Sequence, residues 1–147
     1  MNEIRSYRDL NVWQLSMDLV AQIYTLTGDF PQREIYGLTS QMRRASVSIP
    51  SSIAEGHARF STKEFVRHIS IALGSLAELE TQIEVSRRLG FADPARVLKT
   101  IEECDHVGRM LHNLTHSLES KIERDSNQAS VRPRAPNPQP RVPSSHG

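Results

Sequence analysis

Apolar residues recur at alternating steps of three and four in four separate segments of this chain, a period that suits helices and excludes strands. The first segment runs from about Leu10 to Thr27. Leu10, Trp13, Met17, Val20 and Tyr24 form its leading stripe, flanked by a second stripe of Val12, Leu19, Ile23 and Leu26, before Gly28, Asp29 and Pro31 end it. The second begins around Gln32 to Glu34 and places Ile35, Leu38, Met42, Ala45, Ile49 and Ile53 on one face. Pro50 interrupts it, because a proline inside a helix loses one backbone hydrogen bond and clashes with the carbonyl four residues back. The period stays in phase through Ile53, so one long helix kinked at Pro50 and ending near Gly56 is expected; two helices broken before Pro50 are the alternative.

The third segment opens with Ser61 and Glu64 in the spacing of a capping box, in which each side chain satisfies the other residue's backbone N–H. Phe65, Ile69, Ala72, Leu76, Leu79 and Ile83 then carry the stripe to Gly90, with Arg87 and Arg88 where the helix dipole favours cations. Asp93 before Pro94 signals the start of a fourth helix, whose stripe of Val97, Ile101, Cys104, Leu111, Leu114 and Leu118 continues to about Glu123. Gly108 falls in phase with it and permits a close helix approach. Short connections between long amphipathic helices force antiparallel packing, so the expected fold is all-α, an antiparallel up-and-down four-helix bundle over residues 1–124. Residues 125–147 carry five of the chain's eight prolines, no packable apolar run and a net charge of +2. They read as a disordered, basic, Pro-rich tail.

Chemistry is harder to find. His112 and His116 share a helical face at the spacing of a two-histidine metal site, but Asn113, Leu114 and Thr115 supply no third ligand, and an exposed polar face is the simpler reading. Glu55, Glu78, Glu80 and Glu84 lack the paired Glu-x-x-His pattern of a di-metal bundle. Cys104 lies on an apolar stripe with no histidine placed to activate it, and, being the only cysteine, it forms no internal disulfide. No glycine-rich phosphate loop follows a strand. The expectation is a non-enzymatic chain without cofactor or metal, and, in the absence of any apolar run of spanning length, a cytoplasmic one without membrane contact.

What remains is surface. Arg43, Arg44 and Arg59 on the second helix and its exit, followed by Lys63 and Arg67 one turn apart, form the one region able to present a basic face, although the chain's net charge is only +1. Arg43 and Arg44 have a second reading as structural links to Glu55 or Glu78. Ser48, Pro50, Ser51 and Gly56 crowd small side chains around the helical proline, and Gly74 and Ser75 give the third helix a similar patch, suited to a tight contact within the subunit or between subunits. Val12, Leu19, Ile23, Leu26, Val66, Ile71, Leu73 and Val107 widen the apolar faces beyond one bundle's needs, and a stable homo-oligomer is therefore expected.

Several of these segments also carry a resemblance. Tyr7-Arg8-Asp9-Leu10 with Val12-Trp13, Leu38 to Ala45, Ser48-Ile49-Pro50-Ser51-Ser52-Ile53-Ala54-Glu55-Gly56, and Gly74 to Gln82 look like the small proteins encoded in intervening sequences of bacterial 23S ribosomal RNA genes. Ser51-Ser52 stands where that family more often has Ser-Asn. The resemblance implies an antiparallel four-helix bundle. It also implies kinship with accessory proteins of diversity-generating retroelements, which assemble as ring-like homopentamers with a basic surface proposed to bind nucleic acid and a partner reverse transcriptase. On that footing the expected partners are further copies of this chain, as a pentamer, with RNA or DNA and a reverse transcriptase or another ribonucleoprotein.

Overall fold

A computed structural model describes residues 3–131. Four helices account for most of them: α1 (Asn11–Gly28), α2 (Leu38–Ala58), α3 (Thr62–Arg88) and α4 (Pro94–Val131). Two short 3₁₀ turns, Tyr7–Asp9 and Gln32–Glu34, precede α1 and α2. Each helix packs on its two neighbours in a ring, α1 on α2 and α4, α3 on α2 and α4, and the connections alternate the chain direction. The Arg96–Asp29 ion pair at 3.1 Å and the Phe30–Phe91 ring contact at 5.8 Å pin the start of α4 to the end of α1. The bundle is therefore up-and-down and antiparallel.

Leu19, Ile23, Met42, Ile49, Ile53, Ile69, Leu79, Ile83 and Leu111 are fully buried and fill the centre. On α1 the flanking stripe supplies the fully buried side chains, while Leu10 and Trp13 of the leading stripe pack half-buried against the core. Val12, Ser16, Leu19, Ile23 and Leu26 face the core, while Met17 and Tyr24 are 44% and 45% exposed. The core stripe is in phase only if Ser16 belongs to it, and Ser16 can be buried because its hydroxyl donates to its own helix at Val12 O, 2.6 Å away. Val107 is likewise core. Five of the residues expected to be surplus apolar surface thus line the interior, and Met17, Tyr24, Val47 and Ile71 are among the large apolar side chains left outside.

α2 starts at Leu38, later than expected, because the chain closes a 3₁₀ turn at Gln32–Glu34 and Glu34 then caps the helix, its Oε2 accepting from Leu38 N at 3.2 Å. Ile35 falls in that connection and is half exposed instead of sitting on the core face. The helix then runs unbroken through Pro50 to Ala58, so the alternative of two helices is not the one adopted. Ser46 turns its hydroxyl back to Arg43 O at 2.8 Å. Ser48 instead reaches across to α3, where its hydroxyl meets that of Ser75 at 2.5 Å.

α4 continues past the expected end near Glu123 to Val131, since Arg124 to Ser130 contain neither glycine nor proline to stop it. The rest of the expected tail, 132–147, lies outside the described residues.

Helices α2 and α3 approach each other closely at Gly56. A Cβ there would stand 2.6 Å from His68 Cβ and 3.1 Å from Phe65 Cδ1, so α2 and α3 meet nearly backbone to backbone at their shared end. His68 is buried beneath this contact and its Nδ1 donates to Glu64 O at 2.8 Å, a carbonyl that can only accept. Replacing Gly56 by alanine is expected to lower stability by about 1–3 kcal/mol despite alanine's better helix propensity, since Cβ atoms near the backbone cannot move aside. Urea unfolding followed by circular dichroism measures it.

Candidate nucleic-acid interface

The contact at Gly56 leaves only Arg59, Phe60 and Ser61 to reverse the chain between α2 and α3. A connection that short needs one residue in the left-handed region, and Phe60 takes it, with φ of 54°. Bulky residues are rarely found there, and a glycine would relieve the strain. Ser61 then caps α3, its Oγ accepting from Glu64 N at 3.3 Å. The reciprocal half of the expected capping box is missing, because the Glu64 carboxylate turns to Arg67, 3.1 Å away.

An apolar residue just before a helix cap usually folds back on the residue at the fourth helical position, here Phe65. Phe60 does not. It is 94% exposed, and Phe65 packs edge-on against His57 at 5.6 Å instead. A large aromatic ring is thus held out in solvent between two cations, Arg59 and Lys63. Among the described residues no carboxylate lies within 4.0 Å of either. Lys63 stands in the first turn of α3, where the helix dipole opposes a positive charge and where the first backbone N–H groups lack an acceptor within the helix. That combination attracts an anion. Nothing in the hydrophobic pattern pointed to Phe60; the signal was an aromatic placed between two cations at a turn.

The five basic residues read from the sequence as one surface divide into two places. Arg59, Lys63 and Arg67 gather at the α2–α3 turn, with Arg67 already paired to Glu64. Arg43 and Arg44 lie about 22 Å back along α2, at 1.5 Å per residue. They also point apart. Arg43 is half-buried, its Nε donating to Thr27 Oγ1 at 2.9 Å and its guanidinium stacked 4.5 Å from the centre of the Tyr24 ring. It fastens α2 to α1, and its partners are Thr27 and Tyr24 instead of Glu55 or Glu78. Arg44 is exposed. Of the small residues, Ser48 and Ser75 join α2 to α3, and Gly56 is the close contact described above. Pro50 is buried, Ser51 exposed, and a Cβ at Gly74 would meet nothing within 4 Å.

Elsewhere the titratable groups serve the fold. Burial pushes the Cys104 thiol up to about 12, with the Glu80, Asp105 and Glu103 carboxylates adding to the effect, which keeps it a thiol and a poor nucleophile. Desolvation and the neighbouring Asp105 raise the Glu80 carboxyl. Hydrogen bonds from Arg87 and Arg88 hold Glu84 down at about 2. His112 and His116 are exposed on α4. Among the described residues no group of three or more His, Cys, Asp or Glu side chains is arranged to hold a metal ion, and no helix is long and apolar enough to cross a membrane.

Residues 8–113 match the 23S rRNA-intervening sequence protein family. The chain belongs to that family. The matched span contains all of α1, α2 and α3 and the turn bearing Phe60. Among solved structures it is similar to a protein of unknown function from the S23 ribosomal protein family of Bacteroides thetaiotaomicron, with a TM-score of 0.64 and 19% identity over 71% of this chain and 97% of that one. A likeness at that identity bears on the fold alone. No curated protein matches the chain.

The two arginines of α2 should separate by experiment. Arg43→Gln loses the stacking on Tyr24 and the bond to Thr27 and is expected to lower stability by about 1–2 kcal/mol. Arg44→Gln, at an exposed position, should stay within about 0.5 kcal/mol of the parent chain in the same denaturation measurement.

Proposed function

We propose that this family member is a non-catalytic, homo-oligomeric bundle that binds single-stranded RNA through the α2–α3 turn. The observation that carries the reading is Phe60, strained into the left-handed region and 94% exposed, between the unpaired cations Arg59 and Lys63. An unstacked base finds in such a ring a face to lie on, and the flanking cations suit the phosphates on either side. Base stacking on an aromatic ring tolerates any sequence, and the one carboxylate at the turn, Glu64, is engaged by Arg67.

One turn of this kind binds weakly, and self-assembly would multiply it. Gly74 supports assembly. Glycine in mid-helix destabilises it by about 1 kcal/mol relative to alanine, and no neighbouring atom within the subunit requires its small size. With exposed Ile71 one turn before it, Gly74 marks an outer strip of α3 where a second copy's backbone can approach closely, the pentamer of the family resemblance being one such assembly. Light scattering at low micromolar concentration should give a multiple of the 16.6 kDa chain mass, and Gly74→Gln should reduce it with helicity unchanged. A monomeric parent chain would end the assembly half of this reading.

Electrophoretic mobility shifts with a single-stranded RNA test the other half. With three cations engaged per subunit and a slope of about −0.7 per phosphate, affinity should fall about 20-fold per site between 50 and 200 mM salt. Phe60→Ala should weaken binding by about 1–3 kcal/mol. The combined Arg59→Gln, Lys63→Gln and Arg67→Gln variant should lose the shift at unchanged helicity. Binding that ignores salt and survives all four substitutions would favour a protein-docking scaffold instead.

A further inference from the structure

We infer that copies of this chain join face to back, the basic α1–α2 face of one lying in the acidic, glycine-lined groove between α3 and α4 of the next, with Arg44 clasped by Glu80 and Asp105. This pairing rests on the self-assembly proposed above and names the two surfaces that meet; the α2–α3 turn takes no part in it. Each helix packs only on its two neighbours in the ring of four, so the α1–α2 and α3–α4 grooves open on opposite sides of the bundle.

The two sides differ in charge and in relief. On the face, Met17 and Tyr24 of α1 and Val47 of α2 are each between 41% and 45% exposed, an apolar ridge left open to water. Arg43 and Arg44 stand beside it, no carboxylate lines the groove, and Arg8 adds a third cation over the Tyr7 and Trp13 rings. On the back, Gly74, Ala77 and Gly108 leave the groove walls with little bulk, so an apolar ridge can settle between the helices. Glu80 and Asp105 line that groove together with Arg109 and His112, and Glu102 and Glu103 stand within a turn of Asp105, which sets four carboxylates against one arginine. Among the described residues, Arg44 has no carboxylate within 4.0 Å, and neither Glu80 nor Asp105 has a cation within that distance. Desolvation and Asp105 already push Glu80 toward protonation, so a cation brought by another molecule is welcome there.

A two-fold contact would set Arg44 of one copy against the same cation of the other, or carboxylates against carboxylates, whereas face-to-back contact opposes unlike charges. The heights agree as well. Ser48 meets Ser75 across α2 and α3, and a Cβ at Gly108 would stand 3.3 Å from Leu76 Cδ2 across α3 and α4, so Ser48 and Gly108 share one level of the bundle. α2 and α4 run in the same direction, with Arg44 four residues before Ser48 and Asp105 three before Gly108, which puts them about 6 and 4.5 Å from that level on the same side. Glu80, four residues after Leu76 on the opposed α3, lies at the same height. Neighbouring copies can therefore stand side by side and form the clasp without either sliding along its axis. Repeated by rotation alone, the contact closes into a ring of fixed mass.

Light scattering on the nuclease-treated, full-length chain at low micromolar concentration tests the pairing. Arg44→Glu and Asp105→Arg, each alone, should fall to the 16.6 kDa chain mass with helicity unchanged by circular dichroism. Mixed in equal amounts, the two variants should rise to at least twice that mass, because the unaltered back of the first fits the unaltered face of the second. Should Asp105→Arg lose helicity, Glu80→Lys takes its place with the same expectations. Single variants that keep the parent's mass would overturn the pairing and leave self-assembly standing. Two monomeric variants that stay monomeric when mixed would overturn it too, since each face would then meet its own kind. A monomeric parent would end both the pairing and the assembly on which it rests.

Discussion

The backbone contact at Gly56 sets the geometry of everything around it. With no side chain at that position, α2 lies against the Cβ atoms of His68 and Phe65, and the two helices meet too closely at their shared end for a long connection. Three residues must then reverse the chain, and one of them adopts a left-handed conformation that bulky residues avoid. The strain at Phe60 and its complete exposure are consequences of helix packing one turn earlier. Buried His68, bonded to Glu64 O, and the Ser48–Ser75 hydroxyl pair secure the same interface further along, so the turn is carried on the most tightly joined pair of helices in the bundle.

Five hydroxyls inside the bundle are satisfied in the same local way. Ser16, Thr27, Ser46, Ser86 and Thr100 are buried, and each hydroxyl donates to a carbonyl three or four residues earlier in its own helix. A hydroxyl satisfied in this way can occupy a core position without a partner from another helix. Thr27 does more, since its oxygen also receives the Arg43 Nε and so links α1 to α2. The same arginine stacks on the Tyr24 ring, which α1 presents outward.

Three of the helix boundaries were readable because their chemistry is local. Gly28 with Asp29, Ser61, and Asp93 with Pro94 each mark an end within a residue or two of where it falls. The start of α2 was not, because it depends on Glu34 reaching forward to cap Leu38 after an intervening 3₁₀ turn. The end of α4 was not either, since a polar stretch without proline or glycine reads as tail by its composition yet continues a helix already nucleated by packing. The basic residues near the candidate interface were legible as charges, but only their positions in space divide Arg43 from Arg59 and Lys63, and the exposure of Phe60 has no signature in a hydrophobic period.

The four helices, their antiparallel order and most of the core on α2, α3 and α4 are written in the residue pattern, because a repeat of three and four fixes one buried face wherever a single stripe is apolar. The pattern could not choose between the two stripes of α1, both apolar enough to be core. That choice belongs to the assembled bundle, in which the face carrying Ser16 and the slimmer aliphatic side chains fits a close-packed interior and the face carrying Met17 and Tyr24 is turned outward. Tertiary packing alone made that decision, because volume and the angle between helices are properties of neighbours that no segment holds by itself.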